Sequence, residues 1–522
     1  MKCSYEEVKS VQQPYHSAPI VDSNGTPAFT VTVNGTPTTF TAHQVAVRYL
    51  SVLLSYATDF LGRKITGAVL SVPTDFSEAQ TSGLIAAAEE AGIKVLQTIS
   101  ETAAALTAYH STLLPEEEKS TGVDRNAVVV DVGGSSTAVS VVAIRDGLFA
   151  PLAAVHDATL GGDLFDAKLM DWFSKEFTKK TRIALGADNP RALMKLRLSV
   201  EVTKKSLSAS NSAPCSVESL AEGMDFHGSI NRTRFDLLAA AIYGRIVAKV
   251  EEALAAAKVD TLHVQEVRSF PSASLSYAAL MLRTQIILVG GSTRLPTLAD
   301  KLNNLFYPST PLITSQIDPD EVVAKGAALQ ALALVATYPL DSAPHSLLHS
   351  RSLSELPVVR PSFLSKPLGL VIDAAKDDPK AVNGRTFVVL VPESTPLPLR
   401  RIIDVDVPAG SGAAQVLLAL WEGSHEIKVE QPAKKSKGGF FSRSKDDDDE
   451  DDDEPEEVRT ALIKPEHQVA DLIISVDAKP VVKGKAKTVP KVRLTLVVKV
   501  GGSGSVSAVQ LVDGAVETTT EF

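Results

Sequence analysis

Residues 128–142 read VVVDVGGSSTAVSVV. The apolar runs predict two strands, Ala127–Val132 and Ala138–Ile144, turning at Gly133-Gly134-Ser135-Ser136. Far downstream the chain repeats the arrangement. A strand at Ile286–Val289 leads into Gly290-Gly291-Ser292-Thr293-Arg294 and then a helix from Pro296 to Leu305. Paired glycines after a strand let backbone N–H groups approach a phosphate or ribose with no Cβ in the way. A helix N-terminus adds a dipole that favours an anion. Ser136 can donate to a phosphate oxygen, and Asp131 can hold a magnesium-bound water. Taken singly, each loop is a weak signal, because strand–Gly-Gly turns are more often plain hairpins. Together they suggest two lobes closing on one nucleotide.

The flanking sequence supports layered α/β structure. Residues 1–45 are polar, with a hairpin signal at Asn34-Gly35 between Phe29–Val33 and Thr38–Thr41. Helical spacing follows over His43–Phe60 (Val47, Leu50, Leu54, Ala57, Leu61), with Gly62 as C-cap. A short strand at Ala68–Val72 ends at Pro73. A helix capped by Ser77 runs to about Ala91, a strand spans Val95–Ile99, and a helix spans Glu101–Tyr109. Further helices are predicted at Asp163–Thr178, Arg191–Ser206, Arg234–Ala257 and Asp320–Val335. The third of these carries Leu237, Ala241, Ile246, Val250 and Leu254 on one side. Alternation of this kind indicates an α/β fold. On the second helix Glu201, Lys204, Lys205 and Ser208 fall at i, i+3, i+4 and i+7 and share a face. That face is either a solvated ion-paired stripe or a set of donors to a ribose and purine.

From Leu368 the pattern changes to period two. Strands at 368–372, 386–391, 400–407, 415–421, 470–477 and 491–499 form an all-β module. The Pro/Ser-rich residues 339–366 read as a linker. Residues 432–457 join a basic block (Lys434, Lys435, Lys437, Arg443, Lys445) to an acidic run at Asp446–Glu457. Such a diblock cannot bury apolar surface and is expected to be a disordered insertion.

The 522 residues suffice for several domains of about 100–200 residues each. The net charge of −10 resides in the acidic run, since basic and acidic residues nearly balance elsewhere. A basic nucleic-acid binder is therefore disfavoured, and no direct nucleic-acid binding is expected. No apolar stretch approaches the ~20 residues of a membrane span. The N-terminus MKCSYEEVKS lacks the apolar region of a secretory signal, so no membrane association and a cytoplasmic location are expected. Two distant cysteines, Cys3 and Cys215, suit a reducing compartment.

The order of motifs resembles the nucleotide-binding domain of the seventy-kilodalton heat-shock chaperones. The matching stretches are SVPTDFSEAQ (71–80), ISETAAALTAY (99–109), VVVDVGGSSTAVSVV (128–142), LGGDLFD (160–166), EVTKKSLSAS (201–210), LAEGMDFHGSINRTRF (220–235), ILVGGSTRLP (287–296) and IDPDEVVAKGAALQA (317–331). The resemblance implies an actin-like, two-lobed ATPase domain over 1–338, the linker at 339–366, and a peptide-binding-like β-sandwich over 367–522. It implies ATP as ligand, with Mg2+ held through water. Gly133, Gly134, Ser135 and Ser136 match the second phosphate loop. Glu201, Lys204, Lys205 and Ser208 match the purine–ribose helix. Gly290, Gly291, Ser292 and Arg294 match the adenosine loop, with Asp320 beneath it. Glu101 and Asp131 match acidic groups near the γ-phosphate and magnesium.

The chain also departs from the family. The D-L-G-T-T phosphate loop and the hydrolytic lysine have no match in residues 1–70, as if the first strands of lobe I were missing from the gene model. Residues Arg268–Gln285 interrupt the family pattern, in the manner of a translated intron or a surface loop. Thr81 replaces a coupling arginine, and Thr102 replaces the proline that follows the glutamate. No helical segment is read after the β-module, so a lidless arrangement is expected. This combination resembles the atypical, lidless member of the ribosome-associated complex, which pairs with the J-domain protein zuotin and stimulates a second chaperone on nascent chains. The implied activity is ATP binding without significant hydrolysis, with ribosome and nascent polypeptide contacted indirectly. The alternatives are a hydrolysing heat-shock chaperone with a truncated gene model, or a nucleotide-exchange co-chaperone.

Overall fold

A computed structural model describes residues 5–8, 18–113, 125–145, 147–186, 188–259, 265–266, 282–283, 285–306, 312–313, 317–337, 362–373, 385–406, 412–430, 458–478, 491–510 and 518–522. Cys3, the insertion at 432–457 and most of 268–285 and of the linker lie outside the described residues. The described residues divide into two units. One is drawn from those up to 259 and from 282 to 337, the other from 362 onward together with 265–266.

The first unit is organised by a five-stranded sheet. Its order is Leu312–Ile313, Gln285–Val289, Arg125–Val132, Thr137–Arg145, Leu148–Asp157. The first three strands run parallel, and each of the last two pairs antiparallel with the strand before it. Ala127, Val128, Val129 and Val130 are all buried, because helices cover both faces. On one face the Glu101–Leu113 helix packs Ala105, Leu106 and Tyr109 onto Val129, Val142, Ile287 and Val289. The Val322–Thr337 helix crosses it so closely that a Cβ on Gly326 would land on the Ala104 carbonyl. Near the other end, Phe165 lies 5.2 Å from Tyr243, and Phe226 lies 5.8 Å from Phe173. These rings lock the Gly162–Thr181 helix to the Arg232–Ala257 helix and to a hairpin of Ser212–Ala221 with Met224–Asn231.

Several expectations are corrected. The strand Leu148–Asp157 and the hairpin 212–231 are additions to the predicted elements. The hairpin turns on Glu222 and Gly223, both at positive φ (50° and 74°), without the Asn-Gly signal. That signal is present twice near the N-terminus. The Asn34-Gly35 turn forms, and Asn24-Gly25 adds a third strand, Ile20–Ser23. On the Arg232–Ala257 helix the buried row is Phe235, Ala239, Ile242, Ile246, Val250 and Leu254, whereas Leu237 and Ala241 face solvent. The Ala42–Leu61 helix has its capping box at Thr41 and Gln44 and its αL cap at Gly62, but buries no residue. Leu50 and Leu54 rest on Ile93 and Val95, while Leu61, Tyr56 and Phe60 are exposed, Phe60 at 89%. The sheet beside it, Ala68–Val72 with Val95–Ser100, has two parallel strands. No described helix is long and apolar enough to cross a membrane.

The second unit is a sandwich of two four-stranded sheets. One has the order Arg385–Val391, Leu368–Asp373, Gly412–Glu430, Val458–Ala478. The other has the order Leu399–Asp406, Lys491–Val498, Gly504–Gln510, Thr518–Glu521. Leu370, Leu420, Leu472 and Ile474 meet Leu494, Leu496, Val506 and Ala508 between them. The last two strands extend the predicted set, and the hairpin 412–478 is far longer than its period suggests. Register shifts fall at Leu420/Trp421 and Glu422/Gly423, and pairing continues past them to Glu430. Ser362–Phe363, inside the expected linker, pairs with Pro396–Leu397.

Gly326→Val should lower the unfolding free energy of the first unit by about 3 kcal/mol, because backbone cannot yield as a side chain does. Gly244→Ala, on an exposed helical turn with nothing near its Cβ, should be neutral or stabilising by up to about 1 kcal/mol. Urea unfolding of the two variants, followed by tryptophan fluorescence and circular dichroism, checks the contrast.

Candidate functional site

Parallel strands Arg125–Val132 and Gln285–Val289 are neighbours, with Val289 opposite Asp131. Their C-terminal ends therefore deliver both glycine loops to the same edge of the sheet, where open α/β folds place ligands. Gly290 has φ 86°, and a Cβ there would strike the Val132 carbonyl. Its N–H donates to the Pro319 carbonyl at 2.8 Å. Gly290 thus serves backbone packing. Gly291 is exposed, with no atom within 4 Å of its Cβ position, and the same holds for Gly134.

A third glycine pair completes the cradle. The Gly162 N–H donates to the Gly133 carbonyl at 3.0 Å, and the Asp163 N–H to the Gly134 carbonyl at 2.7 Å. A Cβ on Gly161 would come within 2.6 Å of the Gly134 oxygen. Ser292 then donates its hydroxyl to the same Gly133 carbonyl at 2.8 Å. The loops 133–136, 161–163 and 290–294 are so joined through one oxygen atom. LGGDLFD is visible in the sequence, but Gly161 and Gly162 carry no role in the sequence reading. Their signal is a glycine pair opening a helix.

The Pro190–Ala209 helix contributes its face in two ways. Glu201 and Lys205 form an exposed i,i+4 pair at 2.8 Å, which holds the Glu201 carboxyl below its ordinary range. Lys204 leaves that stripe and turns inward. Its ammonium lies 2.8 Å from Asp166 and donates to the Gly162 carbonyl at 3.2 Å. Burial raises the Asp166 pKa and Lys204 opposes the rise. Ser208 donates to the Lys205 carbonyl at 2.7 Å, within its own helix. Arg294 is exposed and pairs with Asp320 and, at 3.3 Å, with Asp318. The charged groups of the expected adenosine side therefore stand close together: Asp320 acts on Lys205 as well as on Arg294.

The carboxylates form the other side. Burial pushes the Asp131 carboxyl up to about 6. Glu101, at the first turn of its helix, is also raised, first by burial, then by Asp131 and Asp75, while His156 lowers it. Ser135 and Ser136 lie at the turn between the strands that carry Asp131 and Thr137. Thr81 makes a local contact, its hydroxyl donating to the Ser77 carbonyl at 3.2 Å. Thr102 instead reaches Ser140 at 3.0 Å.

An acid whose folded pKa exceeds its unfolded value is destabilising once ionised. Stability falls as pH rises from about 4 through about 6, and the loss persists above that range. Asp131→Asn should therefore raise the unfolding free energy at pH 8 by about 2 kcal/mol, and the gain should vanish near pH 4. Urea titrations at the two pH values measure it; an equal gain at both would assign the effect to packing.

Comparison with known proteins fits this geometry. The Hsp70 protein family matches residues 4–270 and 272–354. A heat shock protein 70 homolog of Schizosaccharomyces pombe is 32% identical over 519 residues, covering 97% of this chain and 80% of the relative. The ribosome-associated complex subunit SSZ1 of Saccharomyces cerevisiae is 33% identical over 430 residues, covering 81% and 71%. A ribosome-associated molecular chaperone of Eremothecium gossypii is 31% identical over 392 residues, covering 75% and 56%.

Proposed function

The chain belongs to the Hsp70 family, and on that premise we propose that it binds ATP as a structural ligand without appreciable turnover, as a chaperone subunit in a ribosome-associated complex. The observation that carries the reading is the cradle around the Gly133 carbonyl. Three glycine loops meet there, while Gly134 and Gly291 leave their outer faces clear. Backbone N–H groups at Gly134–Ser136 and the hydroxyls of Ser135 and Ser136 suit phosphate oxygens. Glu201, Lys205, Ser208, Gly291 and Arg294 suit the ribose and purine. Lys204, Ser292 and Gly290 hold the cradle in shape, and Asp320 orients Arg294. Asp131 and Glu101 are the donors that suit a hydrated Mg2+, which would offset phosphate charge. A ligand bound only by the folded state stabilises it by mass action, which gives a reason to keep such a site without catalysis.

The partner reading rests on the Saccharomyces complex subunit and the Eremothecium chaperone, whose names place them in ribosome-associated settings. A J-domain protein is the proposed stable partner, with ribosome and nascent chain contacted through it in the cytoplasm. The sandwich supplies edge strands for pairing with an extended segment, Arg385–Val391 and Leu399–Asp406 among them. Retained Glu101 and Asp131 favour a second reading, a hydrolysing chaperone, because a carboxylate with a raised pKa can serve as a base near neutral pH.

Purified protein should melt at a higher temperature with Mg-ATP, and single-turnover assays should show no hydrolysis above a buffer blank. Hydrolysis that disappears on Asp131→Asn would establish the second reading. Gly291→Val should abolish the ATP-dependent shift while leaving the melting point without nucleotide within about 1 °C, since its Cβ meets open space.

A further inference from the structure

One face of the central sheet carries a row of polar groups of which the nucleotide reading uses only Asp131. Asp131 stands opposite Ala138, Ala138 opposite His156, and Ser140 opposite Val129 and Ala154. Directly opposed residues share a face, as do residues two apart. Asp131, Ser140 and His156 therefore project from the same side, around the small side chain of Ala138. The Glu101–Leu113 helix covers that side. Its second residue, Thr102, meets Ser140 hydroxyl to hydroxyl at 3.0 Å; Ser140 is 4% exposed. The loop after Val72 adds Asp75, whose carboxylate lies 3.0 Å from His156 Nδ1. Two polar contacts thus flank the position of Glu101.

We propose that Thr102–Ser140 and Asp75–His156 form a seam that positions Glu101 beside Asp131 whether or not nucleotide is bound. Thr102, Ser140, Asp75 and His156 are positioning residues: none is assigned to the ligand. The physical case has three parts. The first turn of a helix lacks intrahelical partners for its N–H groups and frays unless tied. Here the Ser100 hydroxyl accepts from the Ala103 N–H at 3.2 Å, and the Thr102 hydroxyl fixes that turn against the sheet. Second, Glu101 directly precedes Thr102 at the head of the helix, and its carboxyl interacts with Asp131, Asp75 and His156, so both contacts bear on its surroundings. Carboxylates that share a site repel one another, and the Asp75–His156 contact gives one of them a partner. Third, each contact joins two protein side chains, so neither needs a nucleotide group as its partner. A site held in this way has little left for a nucleotide to rearrange, which deepens the reading of ATP as a structural ligand.

The test is amide hydrogen exchange on the full chain, with Arg232–Ala257 as internal reference. Thr102→Val, which removes only the hydroxyl, should speed exchange over 101–106 by about fivefold without nucleotide and leave the reference unchanged. Thr102→Ser should behave as wild type, which a purely space-filling role would not give. Asp75→Asn should loosen the same segment. If Thr102→Val does not fold, Ser140→Ala removes the same bond from the other strand. In the wild type, saturating Mg-ATP should change exchange over 101–106 by less than about twofold. Exchange in Thr102→Val equal to wild type, or Thr102→Ser as fast as Thr102→Val, would overturn the seam. Strong ATP-dependent protection of 101–106 in the wild type would overturn it too. The exchange comparison without nucleotide stands apart from the nucleotide reading, whose own failure is an absent ATP-dependent melting shift in the wild type.

Discussion

The carbonyl oxygen of Gly133 is the point on which the first unit's site depends. It accepts from the Gly162 N–H and from the Ser292 hydroxyl, and so joins loops that come from three separate parts of the chain. A carbonyl has two lone pairs, and here both are used. Each donor is placed by a different element. Gly162 opens a helix whose Phe165 is clamped by Tyr243 and Phe235. Ser292 lies in the turn that follows the strand Gln285–Val289, whose residues 286–289 are buried. Core packing thereby sets the spacing of groups at the surface.

Close approach of backbone is the second constraint. Gly161 and Gly290 permit contacts that a Cβ would forbid, and Gly326 does the same between two helices. Gly134 and Gly291 differ: among the described residues, chain neighbours aside, no atom lies within 4 Å of a Cβ at either. The distinction separates glycines that build the cradle from glycines that leave it open. It also separates charged residues that look alike. Lys204 is committed to Asp166 and the Gly162 carbonyl, whereas Lys205, one residue on, stays at the surface with Glu201.

The second unit follows simpler rules. Its inner residues alternate along strands such as Val492, Leu494, Leu496 and Val498, all buried. On the opposite face Asp404 and Arg493, directly paired in register, make two hydrogen bonds at 2.8 and 3.0 Å. The bulge region at Trp421–Gly423 carries the long hairpin beyond the sandwich core without breaking its ladder.

Local signals in the sequence determined much of this. The Asn-Gly turn at 34–35, the Ser77 cap, the Gly62 C-cap and the strand–glycine loops depend on neighbours within a few residues, so they are legible without a fold. The α/β and all-β halves and the family resemblance were legible for the same reason. What tertiary structure decided was which partners those residues have. No pattern distinguishes Lys204 from Lys205, Gly290 from Gly291, or Leu237 from Phe235, because each answer lies on another element. The exposed face of the Ala42–Leu61 helix has the periodicity of a core helix, and Thr102 and His156 are ordinary polar residues until a sheet brings them to Ser140 and Asp75. Periodicity records which side of an element is apolar; only packing decides what meets it.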